Sequence, residues 1–237
     1  MQLRNIATAA VLLAIPMMAA LPAQAATSQA VAVSCQGYTA TIVGTAGADV
    51  LSDTPGNDVI ALQGGNDQLT DTGGDDIVCL GDGDDRYIPQ SDIDGSGFDQ
   101  IQAGPGNDTV YGSDGNDLIR LGDGQDAFYG STGAVGFPFD NNDTVYGGSG
   151  GDLLEGRMAN DSLYGEEGTD LIDGGNGNDY LDGGPGNGDV LRGGDNDDTL
   201  RGGAGLNDDG DGGPNFPGQD KCALDLETRT GCEQIIP

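Results

Sequence analysis

Apolar residues recur along this chain at an interval set by neither a helix nor a long strand. Leu51, Ile60, Leu69, Val78 and Tyr87 stand nine residues apart. Aspartate lies two positions before each, at Asp49, Asp58, Asp67, Asp76 and Asp85. Glycine lies two positions before each aspartate, at Gly47, Gly56, Gly65, Gly74 and Gly83. The unit is a nonapeptide of the form G-x-D-x-U, with U apolar. The three residues around U are too few for a helix and enough for a short strand, while G-x-D reads as a turn.

Aspartate alone carries the register onward. A step of 14 leads from Asp85 to Asp99, followed by Asp108, Asp117 and Asp126. A step of 17 leads to Asp143, followed by Asp152, Asp161, Asp170 and Asp179; Asp189 comes ten later and Asp198 nine after that. The U positions after these are Ile101, Val110, Ile119, Phe128, Val145, Leu154, Leu163, Ile172, Leu181, Leu191 and Leu200. All sixteen U positions are thus apolar, which a 35% hydrophobic content would give by chance at roughly 10⁻⁷. Glycine two before aspartate is replaced only at Asn141, Ala159, Asn187 and Asn196. Three of these four are asparagine, which tolerates left-handed backbone best after glycine.

The pattern predicts an all-β fold, a parallel β-roll (a β-helix solenoid) in which two nonapeptides make one coil. The U side chains point inward and bury a thin aliphatic seam between two parallel sheets. Sixteen repeats give about eight coils, stacked at about 4.8 Å each. The interruptions are loops at 86–94 and 127–140. The second has two readings: a repeat with an eight-residue insertion, or a degenerate repeat with Pro138 where aspartate would stand. Tyr129, Phe137 and Phe139 either pack over the gap in the stack or form a small exposed patch. The segment 92–97 resembles the opening of an EF-hand loop, but its twelfth position is Ala103 rather than glutamate, so the bidentate ligand is missing.

Composition changes the picture in one respect. Glycine is 45 of 237 residues, and 40 acids against 8 bases give a net charge of -32. With so few bulky apolar residues, that self-repulsion means disorder unless a cation neutralises it. Without a basic patch, nucleic acid is not a partner, nor is an anionic membrane surface. There is no histidine, which removes the commonest general base and the commonest zinc ligand. The G-x-S-x-G match at Gly147-Gly148-Ser149-Gly150-Gly151 therefore has no base to serve it. Identical turns stacked two repeats apart would place aspartates in repelling columns. A hard divalent ion between turns removes the repulsion. Calcium accepts six to eight carboxylate and carbonyl oxygens, magnesium demands stricter geometry, and zinc prefers nitrogen and sulfur.

GGSGGDLLE (147–155) and GGNGNDYLD (174–182) match in full the consensus G-G-x-G-x-D-x-U-x, and AGPGNDTVY (103–111) and LQGGNDQLT (62–70) match in most positions. The array over 44–209 resembles the RTX (hemolysin-type) calcium-binding repeat family. The resemblance implies a β-roll holding several Ca2+ ions in its turns. It assigns ligation to the repeat carboxylates, here Asp49, Asp58, Asp67, Asp76, Asp85, Asp99, Asp108, Asp117, Asp126, Asp143, Asp152, Asp161, Asp170, Asp179, Asp189 and Asp198, with glycine-region carbonyls. PFDNND (138–143) and GRMAND (156–161) lack the glycines, and the full motifs lie in the third run.

The ends read differently. Residues 1–25 have the three parts of a cleaved secretory signal: Arg4, an apolar run from Ile6 to Leu21, and Ala23-Gln24-Ala25 as the cleavage site. No other stretch is apolar enough to span a bilayer. Residues 26–43 form a lead-in and cap, and 210–237 a C-terminal cap. Four cysteines in an exported chain suggest two disulfides, for which sequence permits three pairings. The economical one closes Cys222–Cys232 locally and links Cys35 to Cys79. These ends are similar to short secreted calcium-repeat proteins of bacteria. The expected protein is secreted, non-enzymatic and folded by calcium. The alternative is a calcium-dependent adhesive or matrix protein presenting the two loops to an extracellular or cell-surface partner.

Overall fold

The computed structural model describes residues 32–90, 97–112, 115–131, 142–214, 220–223, 225–232 and 234–237, all within one unit, Ala32–Pro237. The signal segment 1–25, the EF-hand-like stretch apart from Gly97, and Phe137 and Phe139 lie outside the described residues.

Every U residue falls in a strand, and successive strands alternate between two parallel sheets. One sheet has eleven strands, from Ile42–Val43 to Gln234–Ile236; the other has ten, from Val50–Ser52 to Thr228–Thr230. This is the parallel β-roll. The stack exceeds eight coils because Ile42–Val43, Asp209–Asp211, Lys221–Ala223, Thr228–Thr230 and Gln234–Ile236 add strands beyond those of the sixteen repeats. Among the described residues there is no helix, hence none long and apolar enough to cross a membrane.

The register is one of identical positions. In the ten-stranded sheet Leu51 pairs with Leu69, Leu69 with Tyr87, and so on through Val110, Phe128, Leu154, Ile172 and Leu191. In the eleven-stranded sheet Ile60, Val78, Ile101, Ile119, Val145, Leu163, Leu181 and Leu200 follow one another. All of them except Leu51, in the first coil, are buried. The two inward rows form the single core. Through the later coils its width is one side chain from each sheet, so the apolar burial available per coil there is small.

Strand pairing settles the 17-residue step. Leu118–Gly124 pairs directly with Thr144–Gly150, and Ala127–Tyr129 with Leu153–Met158. No strand is skipped, so the step is a repeat with an eight-residue insertion, and Asp126 and Asp143 sit on opposite rims. Tyr129 lies half-buried on the outer face of its sheet, where it stacks on Tyr111 at 5.1 Å, with the Arg157 guanidinium 5.2 Å from its ring centre.

Both ends are closed. The antiparallel pair Ser34–Cys35 and Tyr38–Thr39 is tied to the eleven-stranded sheet by a Cys35–Cys79 disulfide. At the other end Cys222, itself in a U position and buried, is bonded to Cys232. Gly210 occupies a U position without a side chain. Leu226 fills the space: an added Cβ at Gly210 would lie 2.5 Å from its Cδ1. The core thus ends on a residue that lies outside the register.

Candidate metal centre

The turns form two rims. One leads into the ten-stranded sheet and carries Asp49, Asp67, Asp85, Asp108, Asp126, Asp152, Asp170 and Asp189. The other leads into the eleven-stranded sheet and carries Asp58, Asp76, Asp99, Asp117, Asp143, Asp161, Asp179 and Asp198. All sixteen therefore stand in two columns. All except Asp49 are buried.

Each aspartate from Asp67 onward is held by the coil before it. The backbone N–H of every one of the sixteen donates to Oδ1 of the aspartate one coil further on, at 2.7–3.2 Å. That bond fixes the carboxylate and leaves Oδ2 to be accounted for. In the first coil threonine serves: Thr45 N–H and Oγ1 donate to Asp49 Oδ2, and Thr54 N–H and Oγ1 to Asp58 Oδ2. Tyr87 Oη donates to Asp99 Oδ2 at 3.0 Å. At the other thirteen, from Asp67 to Asp198, Oδ2 is buried with no hydrogen-bond partner. A buried carboxylate oxygen without a partner costs at least about 1–3 kcal/mol, so a recurrent series of them is unstable unless something cationic completes it.

The electrostatics agree. Burial pushes Asp161 and Asp198 up to about 8, Asp108 and Asp170 to about 7, and Asp126 and Asp179 to about 6. The N–H of the preceding coil pulls each of these down, but by less than burial raises it. Asp117 and Asp143 lie well above the ordinary carboxylate range, through burial and then the like charge of the next aspartate in their column.

Glycine at the first motif position makes room beside Oδ2. An added Cβ at Gly147 would lie 2.5 Å from Asp152 Oδ2 and 2.6 Å from the carbonyl oxygen of Gly165, one coil on. The same pair of oxygens, one carboxylate and one carbonyl, bounds the space at Gly156, Gly165, Gly174, Gly183 and Gly193. An all-oxygen, part-anionic, dry cradle of this kind suits calcium.

Earlier coils fill this position differently. On the first rim it holds Leu62, Leu80, Ala103 and Leu121, all buried in the core. On the second it holds Asp53 and Asp71, also buried. None of these six was found as a functional or core residue from the nonapeptide pattern. The apolar four did carry a signal, because each lies two residues beyond U in ordinary strand alternation (Ile60/Leu62, Val78/Leu80, Ile101/Ala103, Ile119/Leu121). Two further aspartates, Asp208 and Asp220, continue the columns and are fully buried. Glu227 closes one column, accepting from Asp208 N–H at 2.7 Å.

The glycine-poor turns keep the geometry. In GRMAND, Arg157 and Ala159 take φ of 71° and 82°, a left-handed backbone that costs an L-residue about 1–2 kcal/mol. Stacking against neighbouring turns imposes it, and Asp161 is as buried and as short of an Oδ2 partner as the aspartates of the full motifs.

Columns of carboxylate and carbonyl oxygens along the rims of a parallel β-roll define a calcium-binding repeat solenoid. The RTX calcium-binding nonapeptide repeat (4 copies) matches residues 37–69, 54–87, 93–134, 139–172, 156–188 and 173–209. The chain belongs to this family, whose repeats bind Ca2+. Among curated proteins none matches it.

Proposed function

We propose that this is a secreted, non-enzymatic protein whose β-roll folds as its turns take up several calcium ions. The observation that supports it is the series of buried, partnerless Oδ2 atoms, which the apolar seam alone is too thin to offset. The ligands in this reading are the aspartates beside a first-position glycine, Asp152, Asp161, Asp170, Asp179, Asp189, Asp198, Asp208 and Asp220, with glycine carbonyls of the adjacent coil; the earlier repeat aspartates continue the same columns. Bound calcium supplies positive charge between successive turns. The chain supplies the rest: backbone N–H groups orient each carboxylate, and glycine at the first position keeps the cradle open and water out. Because the unfolded chain offers no such cradle, binding free energy becomes folding free energy. The paired disulfides fit an oxidising, calcium-rich exterior.

Far-UV circular dichroism at pH 7.5 tests the reading. The chain is expected to show little β signal in excess chelator and to gain it cooperatively on adding millimolar calcium. A full β spectrum in chelator would overturn it. A local test uses Gly165→Ala. An added Cβ there would run into Asp170 Oδ2 and lie 2.6 Å from the Gly183 carbonyl oxygen. The fold should persist at saturating calcium, since Ala103 and Leu121 fill the equivalent position earlier. Calcium bound per chain, measured by equilibrium dialysis, should fall; an unchanged count would show that the cradle is not the ion's place.

A further inference from the structure

Asp53, Asp71 and Asp76 lie apart from the glycine cradles. Asp53 and Asp71 occupy the first motif position in two successive coils of one rim, where the later coils have glycine. Asp76 is the repeat aspartate that follows Asp71. Carboxylate oxygens, one from each of the three, lie within 4.8 Å of one another, and all three residues are buried, at 8%, 1% and 1% exposure.

Each carboxylate is anchored by one oxygen and idle at the other. Asp53 Oδ1 accepts from Thr72 N–H and Thr72 Oγ1, both at 2.7 Å. Asp71 Oδ1 accepts from Gly73 N–H at 2.7 Å, and Asp76 Oδ1 from Asp58 N–H at 2.7 Å. The three Oδ2 atoms have no hydrogen-bond partner, and none of them reaches water. A turn-capping aspartate at a surface would leave its second oxygen solvated at no cost. Here three such oxygens are dried together, which a folded chain does not sustain without a counter-charge.

We propose that Asp53, Asp71 and Asp76 form an additional calcium site built from three carboxylates, distinct from the glycine-cradle sites: Asp71 stands where those have glycine, and Asp76 is the repeat aspartate of that turn. The separation fits a common ion of calcium's size, because oxygens 2.3–2.6 Å from one cation lie no more than about 5 Å apart. The anchoring hydrogen bonds hold the three groups in place before the ion arrives. The site lies in the early coils that the Cys35–Cys79 disulfide ties, so it fixes them without a glycine at the first motif position. It rests on calcium being the resident ion of the roll, but not on the glycine cradles being occupied.

The test counts calcium per chain by native mass spectrometry on the full, oxidised protein, titrated with calcium alone. Wild type is compared with D53N/D71N, whose amide oxygens still accept from Thr72 and Gly73, and with Asp170→Asn in the later coils. The expected result is one calcium fewer in D53N/D71N than in wild type, with a separate loss in Asp170→Asn. An unchanged count in D53N/D71N overturns the proposal, since the three carboxylates then share protons instead. Wild type binding no calcium at all would overturn the functional reading as well, so the two failures are distinguishable. Should the double variant not fold in saturating calcium, the single Asp53→Asn variant is read by the same criteria.

Discussion

Freed of calcium, the chain gains β structure as the pH falls from 8 to 5. This is the reverse of ordinary acid unfolding, and its sign follows from the columns. Folded-state pKa values are raised to about 8 at Asp161 and Asp198 and to about 7 at Asp108 and Asp170. Between the unfolded value near 4 and these folded values, the folded chain binds protons that the unfolded chain has released. Stability is therefore greatest at low pH and is lost as pH rises through the folded pKa values. The size decides the outcome. A shift from 3.8 to about 8 at Asp161, at about 1.4 kcal/mol per unit, is on the order of 5 kcal/mol at high pH. A few residues of this kind exceed the ~5–15 kcal/mol that holds a whole domain. Circular dichroism on calcium-stripped protein from pH 8 to 5 measures it; a β signal that stays flat or falls on acidification would count against the columns as described. In saturating calcium the dependence inverts, because protons compete with the ion for the same oxygens.

The second large effect is a change of sign between two conditions. Asp161→Asn removes a buried charge while keeping an oxygen to accept the Asp143 N–H, a bond of 2.8 Å. In stripped protein the substitution is expected to stabilise, moving the midpoint of acid-induced folding to higher pH. In calcium it is expected to destabilise by about 3–4 kcal/mol, the linkage from one ion at 100- to 1,000-fold excess over its Kd. Paired pH and urea titrations on the variant check both. The same sign in both conditions would mean that Asp161 serves the fold and not an ion. Asp161 is the sharper choice over Asp152 or Asp179 because it sits in the glycine-poor GRMAND turn, where sequence gives least reason to expect a site.

Much of this was legible in the chain because the fold repeats itself. One U residue and one aspartate per nonapeptide fix strand, turn and inward face, and stacking gives every coil the same answer. What escaped was non-local. Asp208 and Asp220 extend the columns, but Gly210 fails the test for a U position, and its replacement, Leu226, comes from sixteen residues further on. The parity of the 17-residue step needed the pairing of Leu118–Gly124 with Thr144–Gly150. Asp53 and Asp71 match no column of the motif, so their convergence on Asp76 is visible only once coils are stacked. Arg157 and Ala159 show that neighbouring turns can impose a backbone that their own residues resist.

The four side chains Leu62, Leu80, Ala103 and Leu121 make the rod unequal along its length. Each buried leucine contributes about 1.5–3 kcal/mol, and that contribution does not vary with the ion content of the medium. The early coils thus have a second row of grease where the later coils have a cradle. A ribosome delivers the early coils first. Closed by Cys35–Cys79, they should be the first to order as calcium rises, and the glycine-cradled coils then stack on them. Loss of calcium should peel the rod in the opposite order, from the late coils toward the early ones.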